Sequence, residues 1–397
     1  MRKSSRLSDE KCKKKMFWFT ILLLSSLIIT LPVTAVFGSS KKPIKIGGVL
    51  PLTGWGAAEG SYVKYGAEIA TDLINSKGGI NGRQLELVVE DGKNDPAESL
   101  NACKKLVIRD KVSVIFGAWL SCATLAMIPT VERYGVPMIV ETSGYDGITH
   151  PLKKWVFRTS ILFSQEAASV EPHLKDLGFS NVAFLAQDND WGRGTVEEFS
   201  KSIKRQGGKV ASVDYLDAAT TDFYPQLTKV KASGADSIVV VNSTPAASKL
   251  IQQCYELGLK QKLMTTGGST WPYSIIRLAG AEPTEGTYHL SFFPAFAPES
   301  TPNPDLAKTY VAEWKKRNLT WDGVQEGSRG FDAILTIAEG IKLANGSDKP
   351  AKIRDGLEKI DIKGITGHVK FDKFHDQNPN IVVVGVKDGK PMVVDFK

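Results

Sequence analysis

Cysteine is scarce. Of four in 397 residues, Cys12 sits in a basic N-terminal stretch, and Cys103, Cys122 and Cys254 form an odd set that leaves at least one thiol unpaired in a monomer. A chain this long buries a core without a disulfide scaffold, and it exceeds the size at which one core keeps growing, so two lobes are expected. The five histidines (150, 173, 289, 368, 375) show no metal-ligand spacing, and no G-x-S-x-G elbow occurs. No pair of acids is singled out for acid/base work. An enzyme is therefore not expected, nor is a metal or other cofactor. Basic charge is also sparse outside the leader. Residues 1–38 hold seven Lys and Arg against Asp9 and Glu10, which leaves only +2 of the +7 net charge for residues 39–397. Nucleic acid is excluded as a partner, because it needs clustered basic residues on one face.

What is present begins with "KCKKKMFWFTILLLSSLIITLPVTAVFGSSKK". A basic segment precedes a charge-free run from Met16 to Ser40, with small residues following Pro32. This is the layout of a secretory signal peptide, and Val36-Phe37-Gly38 places the expected cleavage after Gly38. The alternative is an uncleaved anchor, since Phe17 to Phe37 is long enough to span a bilayer. Either way the folded body lies outside the cytoplasm.

From Ile44 onward, apolar Val/Ile-rich runs alternate with amphipathic stretches. "IKIGGVL", "LELVVED", "VSVIFGA" and "PMIVET" are separated by helices near 60–77, 96–110 and 122–134. The rhythm resumes with "VAFLAQD", "VASVDYL", "SIVVVN", "LMTTGG" and "TYHLSFF", separated by helices near 192–206, 222–233, 245–258 and 272–280. Strands that are apolar throughout belong in parallel sheets covered on both faces. The fold class is therefore α/β: two doubly wound, Rossmann-like lobes. The join falls near residues 157–167, and four prolines in 294–304 mark a linker. Helices near 305–317, 324–344 and 350–359 follow, and Asp388-Gly389 signals a closing hairpin. A tail that returns after both lobes are built implies several crossings, a multi-strand hinge. Expected boundaries are 44–162 plus 294–366 for the first lobe and 163–293 plus 367–397 for the second.

The stretch "GGVLPLTGWGAAEGSYVKYG" resembles a dinucleotide loop but fails the G-x-G-x-x-G test, because Glu59 stands at the third glycine position and would repel pyrophosphate. A turn at the mouth of a cleft, bordered by Trp55, is the better assignment. In "FGAWLSCATLAMIP" a strand ends at Gly117 and Ser121 is placed to cap the next helix, with its hydroxyl and nearby N–H groups open to a carboxylate and Trp119 and Cys122 beside it. In "ETSGYDGIT" Thr142, Ser143 and Gly144 supply donors and Tyr145 an aromatic wall. The matching loops of the second lobe offer Trp191, Ser243 and Gly267. All of these follow strand ends, where ligands of open α/β sheets bind. The sequence leaves open whether Cys103 and Cys122 pair.

"IKIGGVLPLTG", "INSKGGINGR" at Ile74–Arg83, Asp95-Pro96, "VIFGAWLS", "YGVPMIV", "FRTS", "DWGRG" and "LAGAEPTEG" together resemble the periplasmic solute-binding proteins of branched-chain amino-acid ABC transporters. The resemblance spans essentially the whole mature chain. It implies a type I periplasmic-binding fold, a monomer that traps a small-molecule ligand by hinge closure, and delivery to an inner-membrane ABC permease. A ligand-sensing module of a receptor, with the same fold, is the alternative. The resemblance further implies that Ser121 binds the ligand carboxylate, that the Thr142 backbone contributes, and that Trp191 replaces a pocket tyrosine. It places Gly144 on a threonine, Phe163 on an aspartate, and Gly267 on the glutamate that neutralises an α-ammonium. A buried ammonium without a carboxylate is costly. The ligand is therefore left open among amino acid, amide and aromatic acid, with Glu141 or Asp146 as substitute acids.

Overall fold

A computed structural model describes residues 42–266 and 271–396. The leader, its cleavage point and Gly267 lie outside these residues.

Five strands, β1 (Ile44–Leu50), β2 (Leu85–Asp91), β3 (Val114–Gly117), β4 (Met138–Val140) and β5 (Val156–Arg158), form a parallel sheet in the order β2-β1-β3-β4-β5. Helices α1 (Ala57–Ser76), α2 (Pro96–Lys104) and α3 (Ser121–Tyr134) connect them, and α2 runs on as a wider-wound turn over Lys105–Asp110. The Asp95 carboxylate accepts from the N–H groups of Ala97 and Glu98 and so caps α2. Ile46, Val49, Val114, Phe116, Ile139 and Val140 are fully buried. Their continuous apolarity reflects helices on both faces of the sheet.

Past α4 (Phe163–Val170) the pattern repeats with β6 (Asn181–Gln187), α5 (Asp190–Arg205), β7 (Lys209–Leu216), α6 (Tyr224–Ser233), β8 (Ser237–Val241), α7 (Thr244–Glu256), β9 (Lys262–Thr265), α8 (Pro272–Ala279), α9 (Ala281–Thr284) and β10 (Tyr288–Ser291). These strands pair in parallel in the order β7-β6-β8-β9-β10.

The proline-bearing segment then carries the chain back. Helices α10 (Pro304–Lys316), α11 (Val324–Leu343) and α12 (Pro350–Leu357) put Tyr310, Trp314, Phe331 and Ile337 into one core with Ile44, Ile46 and Phe116 of the first sheet. Helix α11 packs against α1 so closely that a Cβ on Gly66 would lie 1.7 Å from the Gly327 carbonyl oxygen. Glycine at 66 therefore serves a helix crossing, not a phosphate.

Three short strands, β11 (Ile362–Lys363), β12 (Gly367–Val369) and β13 (Asn378–Pro379), stay beside the first lobe, where Val369 joins its core. Only β14 (Val382–Lys387) and β15 (Lys390–Val393) add antiparallel to the second sheet, next to β10. The chain thus returns to the second lobe at Val382, later than the expected residue 367, because Val369 and Phe371 bury their side chains against the first core.

The crossings are bound to one another. Arg158, fully buried, donates from Nε to Asp376 at 2.8 Å, its backbone N–H donates to the His375 carbonyl, and Gln165 donates to the Gln377 carbonyl at 3.0 Å. A buried cation of this kind is stable only because its counter-ion and acceptors are in place.

Candidate functional site

Each sheet reverses its strand order once, between β1 and β3 in the first lobe and between β6 and β8 in the second. The loops leaving the carboxyl ends of strands at such points are where an open α/β sheet holds its ligand. Here the loops after β1, β3, β4 and β6 meet across a cavity of about 860 Å³, its open mouth included. Trp55, Trp119, Ser121, Cys122, Thr142, Ser143 and Gly144 reach it from the first lobe, and Phe163 and Trp191 from the crossing and the second lobe.

Two expected residues are not part of this wall. Tyr145 is 40 % exposed and does not line the cavity, and its carbonyl accepts from Arg158 Nη1 at 2.8 Å. Ser243 precedes α7 and also lies outside the lining. Gly267 is not among the described residues.

Two expected roles change. Helix α3 takes Leu120 as its N-cap, so Ser121 is the first helical residue and does not cap it. The Ser121 hydroxyl has no protein partner among the described residues, and the first-turn N–H groups of a helix have no acceptor within it. Ser143, by contrast, is engaged: its hydroxyl bonds the Ala118 and Trp119 carbonyls at 2.9 and 3.2 Å and Thr124 Oγ1 at 2.6 Å. Its hydroxyl fixes the β3 loop while the residue lines the cavity. Thr142 keeps only a 3.5 Å contact to Glu141 Oε1.

Phe163 fills the space beside Gly144 and Gly194. A Cβ on Gly144 would lie 2.6 Å from its ring and 2.6 Å from the Ile161 carbonyl oxygen, and one on Gly194 would lie 2.7 Å from the ring. The ring and two missing side chains form one fitted unit, consistent with an aromatic standing where the resemblance places an aspartate.

The charged part of the wall was not visible in the sequence. Arg329 of α11 lines the cavity at 7 % exposure. Its Nε donates to Glu326 Oε2 at 3.2 Å, Nη1 donates to the Glu141 carbonyl at 3.4 Å, and the guanidinium lies 3.9 Å from the centre of the Phe292 ring. Glu326 also accepts from Trp119 Nε1 at 2.8 Å, and the Trp119 ring meets Trp55 edge-on at 5.4 Å. Burial raises the Glu326 carboxyl against the opposing pull of Arg329, and it pushes Glu141 up to about 7. Among the acids proposed as substitutes, Glu141 lies behind the wall and Asp146 accepts the Ser164 hydroxyl at 2.6 Å. The acids that do reach the lining are Glu166, buried, and Asp190, exposed at the start of α5.

All three described cysteines are free thiols, so Cys103 and Cys122 do not pair. Burial pushes Cys103 and Cys254 up to about 12, and it raises the half-buried Cys122 as well. Among the described residues no cluster of His, Cys, Asp and Glu is placed to hold a metal, and no helix is long and apolar enough to cross a membrane.

Comparison with known proteins agrees with this geometry. The leucine-, isoleucine-, valine-, threonine- and alanine-binding protein of Pseudomonas aeruginosa is 28% identical over 346 residues, covering 86% of this chain and 89% of that protein. The substrate-binding protein LivJ of Streptococcus pneumoniae, solved in complex with isoleucine, shares 27% identity with a TM-score of 0.75 over 89% of this chain and 99% of its own. A solute-binding protein of Rhodopseudomonas palustris, solved with p-hydroxybenzoic acid, shares the fold at a TM-score of 0.77 with 22% identity, over 90% and 96% of the two chains. The sequence profile of the family described as periplasmic binding protein matches residues 43–390. The two doubly wound sheets, the cavity between them and this match together place the chain in the periplasmic binding protein family.

Proposed function

We propose that the protein captures a small carboxylate-bearing solute between its lobes, outside the cytoplasm, and delivers it to an ABC permease without chemical change. The observation that carries this is the Ser121 hydroxyl beside the first-turn amides of α3, which face a cavity walled by Trp55, Trp119, Phe163 and Trp191. Amides at a helix N-terminus favour an anion, and aromatic walls enclose an apolar body. The relatives support the transport role: one is named for five aliphatic or small amino acids and another was solved with isoleucine. The tied crossings at Arg158, Asp376 and Gln377 leave closure about a hinge as the motion that buries the solute. Export follows from the leader, with cleavage after Gly38, and the working form is a monomer.

The test is a melting screen of the mature protein against amino acids, their amides and benzoate-type acids. A solute present at about 1,000 times its dissociation constant adds about 4 kcal/mol of stability, a shift of several degrees. Carboxylates are expected to raise the melting temperature. If no member of the panel does, the proposal fails. Mass spectrometry of protein from the periplasmic fraction, starting at Ser39, checks the export step.

A further inference from the structure

We infer that Arg329 is the residue that selects a solute's carboxylate over the corresponding amide in this cleft, an inference that rests on the solute-binding role proposed above. Arg329 reaches the cavity from α11, in the returning part of the chain, and is 7 % exposed. A guanidinium carries five N–H donors in a planar fork. Glu326 takes the one on Nε and the Glu141 carbonyl takes one on Nη1. Both hydrogens of Nη2 and the second on Nη1 have no acceptor among the described residues. A buried cation that borders a cavity with donors unmatched by protein calls for an acceptor inside that cavity. Two parallel N–H groups fit a carboxylate with both oxygens.

The position is held in advance. Glu326 is itself pinned by Trp119, which packs on Trp55, and the Phe292 ring covers one face of the guanidinium. Little side-chain freedom is then lost when a ligand arrives. The Ser121 hydroxyl donates to an acid or an amide carbonyl alike, and the α3 amides add only the partial charge of a helix terminus. The full positive charge of Arg329 separates the two most strongly.

The experiment is titration calorimetry with two matched pairs, leucine with leucinamide and benzoate with benzamide. The wild type is compared with Arg329→Gln and with the double variant Arg329→Gln/Glu326→Gln. The double variant removes both charges, so it leaves no lone buried carboxylate, and circular dichroism melting confirms its fold. A hydrogen bond to a charged group implies about a 30-fold preference for the acid in the wild type. In the double variant that ratio should fall to about threefold or less. An acid preference that survives in the double variant, or a wild type that binds amide as tightly as acid, overturns the assignment to Arg329 alone. Failure of every carboxylate in the melting screen removes the solute-binding role and this inference with it.

Discussion

The fit of Phe163 between two glycines makes a prediction with an unusual sign. Gly194 lies inside α5 with a helical backbone, so replacement by alanine ordinarily stabilises by about 1 kcal/mol through helix propensity. Here the new methyl would sit 2.7 and 2.8 Å from two ring atoms of Phe163. The ring is held from behind by the close approach of Gly144, so it has little room to retreat. Overpacking of this kind costs about 1–3 kcal/mol, and Gly194→Ala should therefore leave the protein unchanged or less stable by up to about 2 kcal/mol. In a Phe163→Ala background the obstacle is gone, and the same substitution should stabilise by about 1 kcal/mol. Urea unfolding of the four proteins measures both effects, and the interaction energy should reach about 1–3 kcal/mol. Stabilisation by Gly194→Ala in both backgrounds would refute the fitted-unit explanation.

Three further outcomes are expected. Ser121→Ala should weaken the bound carboxylate about tenfold or more by calorimetry, since a hydrogen bond to a charge is lost, and unchanged affinity would remove the α3 terminus from the site. Glu141 keeps its proton up to about 7 in the folded state while the unfolded chain loses it near 4.5, so stability should fall as pH rises through that interval. The fall is at most about 3 kcal/mol; Glu141→Gln should flatten it in denaturant titrations at pH 5 to 8, and identical slopes in the two proteins would count against Glu141. A maleimide should label Cys122 before Cys103 and Cys254, because only Cys122 borders the cleft, and saturating solute should slow it. Peptide mapping shows the order, and equal rates at all three would contradict the burial described.

Much of the fold was legible because its signals are local. β1 and β2 match the apolar runs "IKIGGVL" and "LELVVED" residue for residue, and the helices begin and end within a few positions of the periodic segments. Loops after strands could be chosen as ligand-facing on topology alone. What escaped was whatever depends on distant partners. Arg329 is one arginine inside α11, and nothing near it in sequence reveals that two chain crossings set it against Glu141 and Phe292. Ser143 looked like a ligand donor because the carbonyls that engage it belong to another strand end. Cys103 and Cys122 were open to pairing until one appeared in the core and the other in the cleft.

The contact between Gly144 and Phe163 also constrains how such a pocket changes over time. The resemblance places a threonine at 144 and an aspartate at 163, so these two neighbouring positions differ together. With the ring present, any side chain at 144 meets it at 2.6 Å and the Ile161 carbonyl at the same distance. With Phe163 in place, residue 144 is therefore held to glycine. The path toward an ammonium-accepting pocket requires clearing 163 first and letting the 161 carbonyl retreat before 144 is rebuilt. The two steps do not commute, and a laboratory lineage selected for a new solute should meet them in that order.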